Sequence, residues 1–561
     1  MTEPTPLEVS SPRPGTPRSG GAAAVALGIL SSRLIGLIRE QALARFFGVG
    51  PHADVFRAAM RAPNLLQNLL GEGTLSAAFI PIYSRMLEEG RREEAGRFAG
   101  AIFGLLLAAA AVLSLLGVLL ARPLVAVLAT GFLQDHGGAV DRYELTVQAV
   151  RIIFPMTGLL VLSAWALGVL NSHRRFLLSY FAPVLWNAAI ISALLWVGGL
   201  RNAETFSLAA LDRLLFAACW GAFLGGLLQF LVQVPTVVRE MRGFRFSLST
   251  RVPGVRQALA AFAPVVAGRG VVQLASYLDL FLAAMLAQGA VSALGYGQTL
   301  YTLPISLFGM SVAAAELPEM ARLRREGGSM TVELLPRVRR SMRQIAFLNV
   351  PTLAGFLAFG FLLVGALFRF RTGRFGLESN WLVYLVLCGY TVGLLPTTTS
   401  RLLQNTFYAL GDTRSPARIA VARVVLAAAL GYPLMRWLDG IPVAAIAGTT
   451  EGDRLRLGAV GLALASGAAS WLELLLLRRA LARSVPGALV PWRDLGRMTL
   501  LALAAAVPAA LVWWALPPVH VALQALAVVG VYALGYLLLA RVTGAEELGF
   551  WLGRFGRRLR H

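Results

Sequence analysis

Apolar runs of about 20 residues recur along nearly the whole of this chain. That is the length an α-helix needs to cross the hydrocarbon core of a bilayer. Two examples are residues 101–121, AIFGLLLAAAAVLSLLGVLLA, and residues 500–517, LLALAAAVPAALVWWALP. We count about fourteen such runs and find none of the short alternating strands that a membrane barrel needs. Because backbone in lipid must satisfy its own hydrogen bonds, the sequence predicts an all-α polytopic integral membrane protein.

The composition of the 561 residues agrees with this class, since 57% are hydrophobic and only 14% are charged. A soluble chain of this length would carry more charge. The two cysteines, Cys219 and Cys388, lie in apolar runs and give neither metal-ligand spacing nor a disulfide framework. Residues 1–20 are rich in Pro, Ser and Gly, and we interpret them as a disordered cytoplasmic tail, not a signal peptide.

The basic residues are all arginine, and the formal net charge is +22. They concentrate in alternate loops between apolar runs, which is typical of cytoplasmic loops and argues against nucleic-acid binding. The pattern therefore predicts an even number of spans with both termini in the cytoplasm. The segment 369–374 is an exception, with three arginines on the outer side. The predicted cytoplasmic arginines include Arg85, Arg91, Arg92, Arg97, Arg174, Arg175, Arg239, Arg242, Arg245, Arg251, Arg256, Arg322, Arg324, Arg325, Arg337, Arg339 and Arg340.

A faint internal repeat relates residues 63–85 to residues 304–322. Each segment begins with a proline and ends with a second proline followed four residues later by an arginine. Duplicated helical bundles are common in secondary transporters, whose substrate sites lie between the two halves. The predicted organisation is a tail (1–20), a six-helix bundle (21–240), a second six-helix bundle (255–484), two further helices (490–545) and a basic cytoplasmic tail (546–561).

The first apolar run carries charges that lipid does not tolerate. On a helix Ser32, Arg33, Gly36, Arg39 and Glu40 fall within an arc of about 120°. A charge at the bilayer centre costs about 2.5–3.5 kcal/mol, so such residues usually face a cavity or a partner. The stripe therefore predicts a water-filled cationic cavity that receives an anion.

Two other interpretations of these charges stay open. Long basic side chains from Arg39 to Arg45 can reach the outer interface, and Arg33 can form a structural pair with Glu40. Arg269 begins the predicted seventh span, with Asp279 ten residues later, and it either joins the cavity or reaches the cytoplasmic interface. Arginine suits a phosphate ligand because its planar fork makes paired, charge-assisted hydrogen bonds.

Several stretches resemble the MurJ/MviN family of lipid II flippases. Residues 32–86, SRLIGLIREQALARFFGVGPHADVFRAAMRAPNLLQNLLGEGTLSAAFIPIYSRM, resemble the first two helices of that family. Residues 167–187 resemble the junction of its fourth and fifth helices, and residues 278–323 resemble its seventh and eighth. FYALGDTRSP, residues 407–416, resembles the loop that enters its eleventh helix.

The resemblance implies a fourteen-helix transporter of the MOP superfamily, with two six-helix bundles around a central cationic cavity and two more helices that form a groove for a lipid tail. It implies that the protein is not an enzyme but moves lipid II, an undecaprenyl-diphosphate-linked disaccharide-pentapeptide, across the bacterial cytoplasmic membrane for peptidoglycan synthesis and cell-wall biogenesis. Membrane lipids and cell-wall synthesis proteins are further candidate partners. The family match also implies candidate substrate-binding residues, to which we add Arg269. Together they are Ser32, Arg33, Arg39, Asp54, Arg269 and Ser292.

Some positions depart from the family pattern. Gln67 stands where many members have arginine in the second helix. Gln298, Thr299 and Thr302 stand where the family pattern has charges in the eighth helix. Arg61 and Arg269 are candidate replacements for the missing positive charge.

Three alternatives remain open from sequence. The first is an exporter of another polyprenyl-linked saccharide or a drug, because fold does not determine cargo. The second is an enzyme acting on polyprenyl lipids, which would need acidic groups at a membrane face; the acidic residues near 88–94 and 412 sit among loop arginines instead. The third is a degenerate transporter used as a scaffold. We expect no cofactor, and no Walker A stretch is present; coupling to the membrane potential or a monovalent ion is expected.

Overall fold

The computed structural model describes residues 19–71, 75, 78–134, 139–309, 330–449, 455–484, 492–517 and 520–549. Throughout these residues the chain is built from α-helices, which confirms the predicted all-α class. The long helices are α1 (Ser19–Phe47), α2 (Pro51–Leu70), α3 (Arg92–Leu119), α4 (Arg142–Ser172), α5 (Phe176–Gly198), α6 (Leu208–Leu231), α7 (Val255–Ala284), α8 (Ala290–Pro304), α9 (Met330–Phe368), α10 (Leu377–Thr391 and Leu394–Ala409), α11 (Arg414–Asp439), α12 (Gly458–Ser484), α13 (Trp492–Ala515) and α14 (Val521–Val542). Short helices of seven to nine residues follow three of them: Ile80–Glu88 follows α2, Ala121–Leu128 follows α3, and Val234–Glu240 follows α6.

Nine helices of the described chain are long and apolar enough to cross a membrane, and α10 makes a tenth if its two segments, bent by 41°, count as one span. Neither α2 nor α8 is among them. α2 carries His52, Asp54, Arg57 and Arg61, and α8 has only 15 residues before it continues as a π-helical turn. Both helices line a polar cavity described below, and the low hydropathy of α2 follows from what it faces.

The helices pack mainly within two groups. α2, α3, α5 and α6 pack against α4, whose most apolar stretch is 78% buried, and α1 packs against α5. α7 to α12 form the second group. α13 and α14 pack against each other and against α9. This grouping follows the two predicted halves, while the boundaries themselves at residues 240, 255 and 484 stay a prediction.

One end of the bundle holds the loop at residues 48–50, and we call it the first-loop end. α1, α5 and α9 end there, because one backbone hydrogen bond joins residue 203 to residue 372 and another joins residue 45 to residue 374. Trp196, Trp437 and Trp514, near the ends of α5, α11 and α13, are between 70% and 91% exposed. Exposed tryptophans of this kind mark the membrane–water interface, so the first-loop end lies at one face of the membrane.

The motif at residues 407–416 has a local structural role. α10 ends at Ala409, and Gly411 then adopts a left-handed conformation with φ of 79°, which glycine tolerates best. The Asp412 Oδ1 accepts hydrogen bonds from the backbone N–H groups of Arg414 and Ser415, at 3.0 Å each. These contacts, chiefly with Ser415, lower the pKa of Asp412. The motif therefore ends one helix and caps the next.

The connection between the two halves packs along α3. A Cβ atom built on Gly96, Gly100 or Gly104 would lie 2.0–2.3 Å from the carbonyl oxygens of residues 242, 245 and 247. Only glycine leaves room for so close an approach of two backbones. The segment 242–247 is thus held on the first half.

α9 contains Pro351, which has no N–H to donate to the carbonyl of Phe347 one turn earlier. The Tyr536 hydroxyl of α14 donates to that carbonyl at 2.9 Å, and the Tyr532 hydroxyl donates to the Pro351 carbonyl at 2.7 Å. Two tyrosines of α14 thus bind the proline-interrupted turn of α9.

Candidate functional site: a central cationic cavity

A cavity of about 1050 Å³ lies between the two halves. Helices of the first half (α1, α2, α4, α5 and α6) and of the second (α7, α8 and α10) line it. Its polar and charged lining residues are Ser32, Arg33, Arg39, Glu40, Arg57, Arg61, Asn64, Gln67, Asn68, Ser163, Asn187, Gln229, Tyr277, Asp279, Gln298, Thr299, Thr302 and Tyr390.

The polar stripe of α1 faces this cavity. Ser32, Arg33, Gly36, Arg39 and Glu40 all line it, as the helical period requires for residues at these spacings. Arg33 and Arg39 lie 14 and 8 residues before the end of α1, or about 21 and 12 Å along the helix axis. Both guanidinium groups are therefore well inside a hydrocarbon core of about 30 Å.

Glu40 bridges two arginines. Its Oε1 is 2.6 Å from the Arg39 Nη2, and its Oε2 is 2.5 Å from the Arg57 Nη2. The Arg39 Nη1 also donates to the Asn187 Oδ1 at 3.1 Å, and its guanidinium lies 5.1 Å from the centre of the Trp186 ring. Glu40 thus pairs with Arg39 and Arg57, not with Arg33 as one sequence interpretation had it.

Three charged residues of α2 contact successive turns of α8. Asp54, Arg57 and Arg61, at positions i, i+3 and i+7, lie on one face of α2. Asp54 bonds to the start of α8, Arg57 lies over Tyr296 with 4.3 Å between guanidinium and ring centre, and the Arg61 Nη2 donates to the Gln298 Oε1 at 3.3 Å. We call this contact between the two halves the α2–α8 seam.

Asp54 and Ser292, two of the predicted substrate-binding residues, meet at the first-loop end of the seam. The Asp54 carboxylate accepts hydrogen bonds from the backbone N–H groups of Gly289, at 2.6 Å, and Ser292, at 2.7 Å, and Arg142 lies 3.5 Å away. Both predicted residues are fully buried and neither lines the cavity. A carboxylate at a helix N-terminus is stabilised by free amides and the helix dipole, so this contact joins the halves, and a direct role in binding cargo stays a prediction.

Further bonds close the first-loop end. The Tyr296 hydroxyl donates to the Gly48 carbonyl at 3.2 Å, and the backbone N–H of Arg374 donates to the Arg45 carbonyl at 2.9 Å. The N–H of Ala203 donates to the Thr372 carbonyl at 2.9 Å. Each bond joins the first half to the second, so the described chain is closed across this end.

Two predictions fall on parts that the structure does not describe. The side chain of Arg269, on α7, is outside the described residues, although Tyr277 and Asp279 of the same helix line the cavity. The second copy of the predicted repeat is described only as far as Gly309.

Sequence analysis missed Arg57. Its i, i+3, i+7 spacing with Asp54 and Arg61 was a signal for one charged face of α2. Among the described lining residues the arginines 33, 39, 57 and 61 oppose the acids Glu40 and Asp279, so the cavity has a positive balance. Gln67, Gln298, Thr299 and Thr302, the departures from the family pattern, all line it as uncharged hydrogen-bonding groups.

Known proteins show which family this sequence is similar to. The sequence profile of the family described as "Lipid II flippase MurJ" matches residues 43–537. The chain is 31% identical over 407 residues to the lipid II flippase MurJ of Burkholderia cenocepacia, covering 72% of this chain and 75% of that one. It is 29% identical over 462 residues to a probable lipid II flippase MurJ of Haemophilus influenzae, covering 81% and 84%.

Solved structures show the same fold. A lipid II flippase MurJ in an inward closed conformation superposes with a TM-score of 0.70 at 19% identity, covering 93% of this chain and 99% of that one. An inward-facing multidrug resistance transporter of the MATE family, also in the MOP superfamily, superposes with a TM-score of 0.61 at 16% identity, covering 82% of this chain and 98% of that one.

Proposed function

This chain belongs to the family of the lipid II flippase MurJ, and we propose from that membership that it moves lipid II from the inner to the outer leaflet of the bacterial cytoplasmic membrane. It is a polytopic membrane protein, and it is a transporter, not an enzyme. Peptidoglycan and cell-wall synthesis are the processes that such a cargo serves.

The observation that carries this proposal is the charge of the central cavity. Four arginines face it within the described chain, against Glu40 and Asp279. The diphosphate of lipid II is an anion whose oxygens match the planar guanidinium fork. Intramembrane charges that face a cavity usually mark a substrate path, so Ser32, Arg33 and Arg39 are proposed to contact the headgroup.

The orientation we propose places the first-loop end at the outer face and both termini in the cytoplasm. The opposite end carries the arginine-rich turn at residues 174–175 and the linker arginines at 242–251, which supports a cytoplasmic position for it. The exceptional arginines near residue 374 lie at the first-loop end. In this orientation the closed face is the outer one, and the cavity receives cargo from the inner leaflet.

Alternating access then requires the seam to open. Outward release of a headgroup from the cavity needs the contacts of Asp54, Gly48 and Arg374 with the other half to separate. These are a few hydrogen bonds, each worth about 1 kcal/mol or somewhat more when charged. A barrier of that kind is compatible with exchange between a state closed at the outer face and a state open there.

No cofactor is proposed for the transport step. An inside-negative potential favours outward movement of an anion by about 4.6 kcal/mol per 100 mV for two charges. A monovalent ion is the other proposed source of energy.

A second candidate function has one observation in its favour. The uncharged residues Gln298, Thr299 and Thr302 line the cavity where the family pattern has charges. A related exporter of another polyprenyl-linked saccharide or a drug would present a different headgroup to this wall. The MATE likeness supports only the shared fold.

The experiment compares Arg39→Ala with the wild type in proteoliposomes that contain fluorescent lipid II. Arg39 holds Asn187 and Glu40 and lines the cavity, so its loss should slow flipping by about tenfold or more. Arg39→Lys should retain part of the rate, since an ammonium replaces only the charge of the fork. Arg91→Ala is the matched control, because Arg91 is an exposed loop residue paired with Glu89 and Glu94.

Near wild-type flipping by Arg39→Ala would remove Arg39 from the site. Lack of lipid II flipping by the wild type, together with failure to complement a lipid II flippase depletion strain, would favour the alternative cargo.

A further inference from the structure

Arg57 lies where the cavity meets the middle of the α2–α8 seam. We propose that Arg57 couples recognition of a diphosphate in the cavity to opening of the first-loop end, an inference that rests on the proposed function. Arg57 is thus a cation that both binds the cargo headgroup and, until it does so, holds the two halves together.

The contacts of Arg57 divide between the halves. On its own half its Nη2 lies 2.5 Å from the Glu40 Oε2. On the other half its guanidinium lies 4.3 Å from the centre of the Tyr296 ring, a cation–π contact that is strongest where water is excluded. The side chain is 16% exposed and lines the cavity.

The position of this guanidinium depends on a glycine. A Cβ atom built on Gly295 would lie 2.3 Å from the Arg57 Nη1 and 2.5 Å from its Cζ. Any larger residue at 295 would displace the planar group from Tyr296. The chain therefore provides a recess in α8 that fits the side chain of Arg57.

Arg57 and Tyr296 are each one turn from the bonds that close the first-loop end. Asp54 precedes Arg57 by three residues and accepts from the backbone of Ser292, which precedes Tyr296 by four. The Tyr296 hydroxyl itself donates to the Gly48 carbonyl. Movement of Arg57 away from Tyr296 therefore acts on the same two helices that Asp54 joins.

In the cavity without cargo, Glu40 pairs with both Arg39 and Arg57. Its carboxylate presents one oxygen to Arg39 and the other to Arg57, much as two oxygens of a diphosphate would. The Nε atoms of both arginines are buried and lack a hydrogen-bond partner among the described residues. A diphosphate competes with Glu40 for both guanidinium groups, and it draws Arg57 from the Tyr296 ring into the cavity.

The consequence is directional. Without cargo, Arg57 stays between Glu40 and Tyr296 and the first-loop end stays closed. With a diphosphate bound, the seam loses a contact next to Asp54, and opening of the outer face becomes easier. A ligand shifts such an equilibrium only through its different affinities for the two states, and Arg57 supplies that difference.

The test uses two spin labels, at Leu200→Cys on the first half and Arg371→Cys on the second. Both positions are exposed at the first-loop end, and Cys219 and Cys388 are replaced by Ser. The probe is farnesyl diphosphate added to the purified full-length protein. In the wild type we expect the label distance to lengthen as the probe saturates.

Arg57→Gln should still bind farnesyl diphosphate through Arg33 and Arg39, with a Kd about tenfold higher. At saturation its label distance should stay at the ligand-free value. Gly295→Ala should reproduce this loss of response. Gly530→Ala is its matched control, because nothing lies within 4 Å of a Cβ at this glycine of α14, and it should respond as the wild type does.

Full lengthening in saturated Arg57→Gln would overturn the proposal. If Arg57→Gln does not fold because buried Glu40 loses one of its two arginines, the double variant Glu40→Gln/Arg57→Gln replaces it with the same expected loss of response. A wild type that flips lipid II and binds the probe without any change in label distance overturns only this proposal. A wild type that neither binds the probe nor flips lipid II overturns the proposed function as well.

Discussion

Asp54 accepts two of the hydrogen bonds that close the first-loop end. Its carboxylate accepts from two backbone amides at the start of α8 and lies beside Arg142, all in a fully buried position. We expect Asp54→Asn to destabilise the closed state by about 2–3 kcal/mol, because a neutral amide accepts more weakly than a carboxylate from the backbone N–H groups of Gly289 and Ser292. Thermal unfolding in detergent and accessibility of a cysteine at residue 200 measure the two effects.

Ser292→Ala is the comparison for Asp54→Asn. It keeps the backbone N–H that bonds Asp54 and removes only the hydroxyl, which donates to the Gly289 carbonyl. The expected loss is about 1 kcal/mol. Equal losses in the two variants would show that the carboxylate is not the main contact.

At this scale the sequence predicts some site residues and misses others for a physical reason. The α1 stripe follows from helical periodicity alone, so Ser32, Arg33 and Arg39 were predictable as neighbours. The role of Arg57 depends on Gly295, which is 238 residues away in the chain and touches it only through tertiary packing. No local pattern contains that contact.

Among the helices, α9 and α14 form one unit because α14 completes a turn that Pro351 interrupts. We expect Tyr536→Phe to lower stability by about 1–3 kcal/mol, since it leaves the buried Phe347 carbonyl without a donor. Tyr432→Phe is the matched control, because Tyr432 is 50% exposed on α11. Thermal unfolding of the purified proteins measures both.

A double-mutant cycle with Pro351→Ala makes this test specific. Alanine at 351 restores the N–H that the Phe347 carbonyl lacks, so Tyr536→Phe should cost much less in that background. An undiminished loss would mean that the tyrosine acts through packing alone.

Helix boundaries were predictable to different degrees. The long apolar runs correspond to observed helices because length and hydropathy determine them. The bend in α10 was not predicted, because it depends on packing against another helix. A Cβ atom built on Gly393 at the bend would lie 2.9 Å from the Cα of Gly467 on α12. α8 was expected as a full span and has only 15 residues before its π-helical turn.

For the whole molecule, the orientation in the membrane is the property to test. We expect Leu200→Cys at the first-loop end to react with an impermeant maleimide added outside intact cells. Thr250→Cys, an exposed position of the linker at the opposite end, should react only after permeabilisation. Labelling of Thr250→Cys but not Leu200→Cys in intact cells would reverse the orientation and, with it, the side from which the cavity receives cargo.

The overall architecture was predictable because the arginine-rich loops alternate and the apolar runs repeat. The relative placement of the halves was not, since it depends on contacts such as Asp54 with Ser292 and Ala203 with Thr372. These join residues with no regular spacing in the chain.

The glycines of α3 that hold the linker have a kinetic consequence. Because the chain is packed on the first half as far as residue 247, only residues 248–254 separate that contact from α7. So short a tether gives the second half a high effective concentration at the surface of the first. The bonds at the first-loop end can therefore break and re-form while the halves stay close together. The strength of those bonds, not the diffusion of one half to the other, then sets how often this end opens.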